Sequence, residues 1–256
     1  ANRPKTRGNV NHMLRFQSRG LAGLFEQEFH TMWGDGPGGK LDSRFGLQKG
    51  STGVRTVMVG KTRIDVLFAP HRKRDPNHGL NWIEKQLSKA HKSIDMALFV
   101  FTAQQLADAL EQRVNAGLQI RLIADPSFAS RSFSEVHDLL GVALPDRTCK
   151  LARDNQPFNK GLNSVGTPRL ARGDKLHHKF AVIDNKKVIT GSFNWSPSAA
   201  HTNDETLLVI HSPQLAEHFT REIDRLWDTA ELGITSHIQR KLNRQQIRCG
   251  KGVERG

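Results

Sequence analysis

The chain has 256 residues, 37% of them hydrophobic, and can bury the core of one large domain or of two modest ones. Lys and Arg outnumber Asp and Glu by 38 − 25 = 13, which predicts a polyanionic partner: nucleic acid first, an anionic membrane surface second. No apolar run approaches the roughly 18 residues that span a bilayer, and the first residues lack the apolar segment of a signal peptide. We therefore expect a soluble protein, and the sequence assigns it no compartment.

Two stretches of the sequence, 9–33 and 203–227, align without a gap at an offset of 194 residues. Each is predicted to form a short strand, a Ser N-cap and an amphipathic helix that ends in Trp. Two unrelated strand–helix units would also fit this description, but the gapless register favours an internal duplication. The eight identical pairs are Asn9/Asn203, Leu14/Leu208, Ser18/Ser212, Leu21/Leu215, Ala22/Ala216, Phe25/Phe219, Glu28/Glu222 and Trp33/Trp227.

The duplication predicts that residues 1–33 are the C-terminal remnant of a first repeat whose remaining residues would precede Ala1. In this register Asn11 aligns with Glu205, so Asn11 is a candidate counterpart of that residue, with an amide in place of a carboxylate. This difference argues against full chemical equivalence of the two copies.

Residues 34–62 are predicted to connect the two repeats, because glycine-rich segments resist regular structure. Gly34–Lys40 has the spacing of a phosphate-binding loop. However, Leu41 stands where that motif requires Ser or Thr, and the run follows a predicted helix instead of a strand. We therefore reject a nucleotide-binding loop here.

From residue 63 onward, predicted strands and helices alternate, which is typical of an α/β fold with a mixed sheet flanked by helices on both faces. We assign residues 63–232 to one complete domain. The predicted strands are Arg63–Pro70, Ser93–Phe101, Leu118–Ala124 and 148–152, and the predicted helices are Leu80–His91, Ala103–Asn115 and Ser134–Leu140. A polar loop, Arg153–Asp174, is predicted to follow.

A β-hairpin is predicted over Lys175–Thr190, with turn-forming residues at its centre. Because strand residues two apart share a face, His177 and Lys179 should point to one side and His178 to the other, where packing is its expected role. His177, Lys179 and Asp184 form the pattern H-x-K-x4-D. It is followed by Gly191, Ser192, Asn194 and Glu205.

This extended pattern resembles the HKD motif of the phospholipase D superfamily, which includes lipid hydrolases, phosphatidyl transferases and metal-independent nucleases. The resemblance covers all seven residues at the spacing of the small nuclease members, and it implies a phospholipase D-like fold. It also implies a two-step reaction, in which the His of one motif forms a phosphohistidine and the His of a second motif protonates the leaving group.

Phosphodiester cleavage requires cationic donors on the phosphoryl oxygens, an in-line nucleophile and an acid for the leaving group. His177 would be the nucleophile or the acid, and Lys179 and Asn194 would donate to the oxygens, with a further hydrogen bond from Ser192. Glu205 is expected to orient the His177 ring. Asp184 and Gly191 are predicted to be structural, and we expect neither a metal nor a cofactor.

Since this superfamily is expected to pair two HKD motifs, a second motif should come from an upstream segment or from a homodimer partner. Our leading hypothesis is a metal-independent nuclease acting on DNA or RNA. The alternatives are a phospholipase D or phosphatidyl transferase acting on anionic phospholipid, and a nucleic-acid-binding protein that is inactive as an isolated half.

Residues 233–256 are predicted to form a basic C-terminal tail, with a short helix that either packs on the domain or contacts phosphates. Cys149 and Cys249 lie far apart in the sequence and neither belongs to a C-x-x-C motif, so we expect two free thiols.

Overall fold

The fold is taken from a computed structural model that describes residues 8–34, 42–151 and 155–250, and the backbone of a short strand at 254–255. The helices are α1 (Arg19–Trp33), α2 (Gly79–Ser88), α3 (Gln104–Asn115), α4 (Pro126–Ala129), α5 (Val136–Leu139), α6 (Pro197–His201), α7 (Pro213–Trp227) and α8 (Ser236–Cys249). The strands are β1 (Arg55–Val59), β2 (Thr62–Phe68), β3 (Ser93–Leu98), β4 (Gln119–Ala124), β5 (Lys150–Leu151), β6 (Val165–Thr167), β7 (Lys179–Ile183), β8 (Lys187–Gly191), β9 (Thr206–His211), β10 (Glu231–Leu232) and β11 (Glu254–Arg255).

Within the described part of the chain, nine strands form one mixed sheet in the order β1-β2-β9-β8-β7-β3-β4-β6-β10. β3 is parallel to β4, and the chain crosses between them through α3, as a parallel pair requires. On its other edge β3 is antiparallel to β7. The hairpin of β7 and β8 therefore lies in the middle of the sheet, with neighbours on both sides.

Apolar side chains cover both faces of the sheet. Along β7, Ala181 and Ile183 belong to a core cluster that also contains residues of α2, α3 and α8. Phe180 and Val182 point to the opposite face, where they pack against α7. Leu21 of α1 packs on this second face nearer the β2 edge. The predicted α/β class, with a mixed sheet between helical layers, is confirmed.

Four of the described strands lie where the sequence predicts none: β1, β6 and the two-residue strands β10 and β11. β1 falls inside the predicted connector, and β6 falls inside the predicted polar loop. β1 is an edge strand whose residues are at most half-buried, so its hydrophobic signal is weak. β6 has three residues including Gly166, where an added Cβ would lie 2.3 Å from the Glu231 carbonyl oxygen. Most of the predicted glycine loop Gly34–Lys40 lies outside the described residues.

The two helices of the predicted repeat have equal lengths and similar starts. α1 and α7 each contain 15 residues, and the side chains of Ser18 and Ser212 accept from the backbone NH groups of Leu21 and Leu215. The strand predicted before α1 is reduced to an isolated bridge between Val10 and Leu176, whereas β9 is fully paired on both sides. A common origin of the two stretches stays a prediction.

The prediction of two free thiols is wrong, because Cys149 and Cys249 form a disulfide bond with a Cα–Cα distance of 5.5 Å. Their separation of 100 residues hides this proximity, which arises only when α8 folds back onto the domain. Ile238 of α8 is buried in the main core cluster and Leu242 packs against it. Most of the predicted basic tail is therefore a docked helix. None of the helices in the described ranges is long and apolar enough to cross a membrane.

Candidate active site

Asp184 occupies the turn between β7 and β8. It and Asn185 adopt positive φ angles of 54° and 53°, which Asp and Asn tolerate better than most residues. The Asp184 carboxylate accepts from the backbone NH groups of His91, Lys92 and Ser93 at 3.1, 2.7 and 3.1 Å. Burial opposes its ionisation, but these donors hold the pKa of Asp184 below its usual value. The residue thus ties the hairpin turn to the start of β3, at the opposite end of β7 from His177.

Gly191 ends β8 with a φ of 140°, a conformation that strongly favours glycine. An added Cβ would lie 2.1 Å from the Thr206 carbonyl oxygen of β9. Directly after it, the Ser192 hydroxyl accepts from the Thr206 backbone NH at 2.9 Å. Gly191 therefore allows the close approach of β8 and β9 from which the following polar residues project.

Seven of the eight predicted site residues surround one open cleft, with a cavity volume of about 440 Å³. We call it the HKD cleft, and Asp184 is the predicted residue that does not line it. His12, which the sequence analysis did not select, is its eighth lining residue. The lining residues are Asn11, His12, His177, Lys179, Gly191, Ser192, Asn194 and Glu205.

His177 and Lys179 form a polar pair in the cleft. The Lys179 ammonium lies 3.2 Å from the imidazole Nε2 of His177 and donates to the His177 carbonyl oxygen at 3.1 Å. Lys179 also lies over the ring of Phe99, 5.0 Å from its centroid. The Phe99 ring contacts the His177 ring, with centroids 4.8 Å apart. One aromatic side chain thus contacts both polar groups.

The surroundings of this pair favour the neutral form of the imidazole. Burial lowers the pKa of His177 below 6.5, and the adjacent Lys179 and His178 lower it further. Burial also lowers the pKa of Lys179 to about 8, against the opposing effect of Glu205. At neutral pH the arrangement therefore combines a neutral imidazole, whose unprotonated Nε2 faces Lys179, with an ammonium that is still mostly protonated.

The side chain of Asn194 forms no hydrogen bond with the described residues, and its Oδ1 is buried without a partner. The amide oxygen only accepts, so the group of Asn194 that can serve an anion at the cleft is its NH2. Ser192 is exposed at the same cleft, although its hydroxyl already accepts from Thr206.

Glu205 lines the cleft but does not contact the His177 ring. Its carboxylate accepts from the Asn203 side chain at 3.3 Å, and no hydrogen bond joins it to His177 in the described part of the chain. It acts on Lys179 through its charge. The predicted orienting role of Glu205 stays a prediction.

Residues just before α1 hold the backbone of His177. The Val10 NH donates to the Lys175 carbonyl, and the His177 NH donates to the Val10 carbonyl, both at 2.8 Å. This pairing brings the exposed Asn11 side chain to the cleft. The predicted remnant of a first repeat therefore contributes to the cleft that contains the intact motif.

A chain of partly buried hydrogen bonds starts at His12 on the wall of the cleft. His178 points away from His177, as predicted, and its Nε2 donates to the Glu222 carboxylate at 3.0 Å. Its Nδ1 lies 3.0 Å from Nδ1 of His12, and Nε2 of His12 lies 2.8 Å from the Thr190 hydroxyl. Burial opposes ionisation of Glu222, but hydrogen bonds from Arg225 and His178 lower its pKa to about 2. A carboxylate can only accept, so the donor direction at His178 Nε2 is fixed.

The same geometry assigns the remaining protons. With one proton on each imidazole, His12 donates from Nδ1 to His178 and accepts from the Thr190 hydroxyl at Nε2. Burial, with the nearby His178, lowers the pKa of His12 to about 4, consistent with a neutral ring. Nothing in the sequence pattern reveals this role of His12, since its partners lie 166 and 178 residues away.

The cleft offers nitrogen donors and few carboxylates. Across residues 8–34, 42–151 and 155–250, no group of three or more His, Cys, Asp or Glu side chains could hold a metal ion. The cleft instead brings together an imidazole, an ammonium and an amide. These groups can donate hydrogen bonds to the oxygens of a phosphate.

Comparison with known families agrees with this chemistry. Residues 83–227, more than half of the chain, match the family model described as "Cardiolipin synthase, PLD-like domain". The chain belongs to the phospholipase D superfamily. The matched range contains all seven residues of the extended HKD motif.

Curated members of this superfamily resemble part of the chain. A mitochondrial cardiolipin hydrolase from Chlamydomonas reinhardtii is 28% identical over 142 residues, 56% of this chain and 54% of that protein. The human mitochondrial cardiolipin hydrolase is 26% identical over 149 residues, 58% of this chain and 51% of that protein. The chain thus aligns with about half the length of these relatives.

Two solved structures share the fold. NucT from Helicobacter pylori has a TM-score of 0.53 at 22% identity and covers 68% of this chain and 99% of its own. Nuc from Salmonella typhimurium, a phospholipase D family member, has a TM-score of 0.50 at 20% identity and covers 67% of this chain and 98% of its own.

Proposed function

We propose that this chain is a phosphodiesterase that hydrolyses nucleic-acid phosphodiester bonds through a phosphohistidine on His177, without a divalent metal. The observation that carries the proposal is the His177–Lys179 pair at 3.2 Å in an open cleft. The excess of 13 basic residues supports nucleic acid as the substrate.

Neutral His177 suits nucleophilic attack. Its unprotonated ring nitrogen forms a bond to phosphorus while the bond from phosphorus to the leaving oxygen breaks. Lys179 and the NH2 group of Asn194, which both line the cleft, donate to the non-bridging oxygens as negative charge builds up there. The leaving oxygen takes a proton from an acid. Water then attacks phosphorus and gives its proton to the group that protonated the leaving oxygen, and the P–N bond breaks to regenerate His177.

The acid is expected to be the His of a second HKD motif. That motif would come from an upstream segment joined to the predicted remnant at 1–33, or from a homodimer partner across a two-fold axis. The placement of Asn11 at the HKD cleft supports a contribution from the N-terminal stretch. Light scattering of the purified protein separates the two cases, since only the second requires a dimer.

A lipid phosphodiester is the alternative substrate. The same cleft residues would act on it, and the basic surface would meet anionic headgroups. The curated relatives named mitochondrial cardiolipin hydrolase favour this alternative. A third alternative, nucleic-acid binding without turnover, applies to a protein that never acquires a second motif.

The test is an incubation of the protein with DNA, RNA and cardiolipin-containing vesicles, each in EDTA. We expect cleavage of nucleic acid that disappears in His177→Asn and persists in His30→Asn, which changes an exposed histidine outside the cleft. Release of lipid products with intact nucleic acid would establish the lipid alternative instead. Tight binding of nucleic acid without any cleavage would establish the third alternative, a binding protein without turnover.

A further inference from the structure

A second cleft lies between the loop after α4, the segment before β5 and one face of α8. It has a cavity volume of about 630 Å³. We call it the basic groove, and five of its lining residues are cationic. These are Arg131, Arg147, Lys241, Arg244 and Arg248.

The cations of the basic groove are not neutralised by the protein. In the described ranges none of the five forms an ion pair, whereas Arg63, Arg121, Arg221 and Arg225 elsewhere each pair with a carboxylate. One acidic residue, Asp146, lines the groove, and its carboxylate accepts from the backbone NH groups of Thr148 and Lys150. Unpaired, solvent-exposed arginines that converge on one groove form a site for an anion.

The groove also presents apolar surface. Phe133 is 54% exposed and Ile247 is 86% exposed, and both line it. An exposed aromatic ring among arginines offers a platform on which a base can stack, and arginine itself pairs with phosphate in a bidentate manner.

The walls of the groove are held in place. The Lys241 ammonium donates to the Ser130 carbonyl oxygen at 2.6 Å, which fixes α8 against the loop after α4. The disulfide between Cys149 and Cys249 joins the end of α8 to the segment before β5. The groove is therefore preformed, which lowers the entropic cost of binding.

A run of aromatic contacts links the HKD cleft to the basic groove. The Phe99 ring, which contacts His177, also contacts the ring of Phe128 at a centroid distance of 4.6 Å. Phe128 belongs to α4, and the groove-lining residues start two positions later at Ser130. A chain of phosphates in the groove would thus lead toward His177.

We propose that the basic groove binds the backbone of single-stranded nucleic acid and directs it to the HKD cleft, with Phe133 stacking on a base. The inference rests on the proposed function and deepens it. Single strands are favoured because an aromatic platform needs an unstacked base. A flat lipid surface would not engage charges that line a concave groove.

The test measures binding in a His177→Asn background, so that cleavage does not interfere. A fluorescein-labelled 12-nucleotide single-stranded DNA is titrated with this protein and with Arg244→Gln/Arg248→Gln, while salt is varied. Losing two phosphate contacts should lower the slope of log K against log salt by about 1.4, at roughly 0.7 per contact for single strands. Phe133→Ala should weaken binding about tenfold.

The matched control is Lys85→Gln/Lys89→Gln, which removes two exposed charges on and beside α2, away from the groove. It should leave the slope nearly unchanged. Equal effects of the two double variants would overturn the proposal, because binding would then follow net charge alone. Groove variants that lose binding to phosphatidylcholine–cardiolipin vesicles but retain DNA binding would also overturn it and indicate a membrane surface.

This experiment separates the groove from the proposed function. Groove-dependent DNA binding in a protein that cleaves no nucleic acid would contradict the nuclease proposal and leave the groove assignment intact. Cleavage of DNA, combined with binding that the groove variants do not change, would contradict the groove assignment and leave the nuclease proposal intact. Thermal melts of each variant verify folding, since Arg244 and Arg248 are exposed and their replacement should not unfold the protein.

Discussion

The HKD cleft and the basic groove use positive charge differently. In the cleft, Lys179 is 7% exposed and lies against an aromatic ring, so burial lowers its pKa to about 8. In the groove, Arg131, Arg244 and Arg248 face solvent and form no ion pair with any residue that the structure describes. A desolvated ammonium interacts strongly with one phosphoryl group, whereas exposed arginines attract a polyanion weakly at many points.

The difference predicts that substitutions in the two regions impair different steps. Changes in the cleft should abolish turnover and spare binding of long substrates, and changes in the groove should weaken that binding in a salt-dependent manner. The predictions below test this division, beginning with the largest expected effect.

Replacing His177 with Asn should lower the rate of phosphodiester cleavage by at least about 10³-fold, because it removes the imidazole that is proposed to form the covalent intermediate. Single-turnover assays on labelled DNA measure the loss. DNA binding in anisotropy titrations should change little. A variant that retains a tenth of the wild-type rate would exclude His177 as the nucleophile.

Replacing Lys179 with Met should lower the rate by about 10²- to 10³-fold, since one donor to the developing charge is lost. Burial and Lys179 both lower the pKa of His177, so the variant should raise that pKa. Activity requires neutral His177 and falls as pH drops through its pKa. The acid limb of the pH–rate profile, below pH 6.5 in the wild type, should therefore move to higher pH.

Lys61→Met, in the exposed turn between β1 and β2, serves as the control for Lys179→Met. It should change neither the rate nor the profile. If the acid limb of Lys179→Met does not shift, the limb reports the titration of a group other than His177.

Removing the disulfide with Cys249→Ser should lower the free energy of unfolding by about 2–4 kcal/mol, because the bond closes a long loop in the unfolded chain. Urea titrations measure this change. Since the bond also fixes one wall of the groove, the affinity for single-stranded DNA should fall. Reduction of the wild type with dithiothreitol should reproduce both effects, and no change in either would show that α8 docks independently of the bond.

The His12–His178 pair should make stability sensitive to acid. Folding lowers the pKa of His12 from 6.5 to about 4, so the folded state binds fewer protons than the unfolded state in that range. The contribution of His12 to the free energy of unfolding is therefore complete above pH 6.5 and declines as the pH falls toward 4. The partly exposed ring limits the loss to about 1–2 kcal/mol, less than the full shift would imply.

Melting temperatures across this pH range, compared between the wild type and His12→Gln, measure the contribution of His12. The variant should show a shallower decline. Parallel curves would assign the acid sensitivity to other groups, such as the buried His137, whose pKa burial also lowers to about 4.

By itself, the sequence determined the α/β fold, the hairpin and the identities of seven of the eight residues that line the cleft. These features follow from local patterns: alternation along strands places His177 and Lys179 on one face, and the residues at 191–194 follow directly from β8. Apolar periodicity likewise predicted most of the helices, because each buries one face on the sheet.

Only the tertiary structure brought together residues that are distant in the chain. The disulfide, the His12–His178–Glu222 chain and the basic groove each join segments tens to more than a hundred residues apart. No local pattern marks such partners, since each residue is ordinary in its own segment. Their proximity results from how α8 and the residues before α1 pack on the sheet, a contact between distant segments that burial of apolar surface decides.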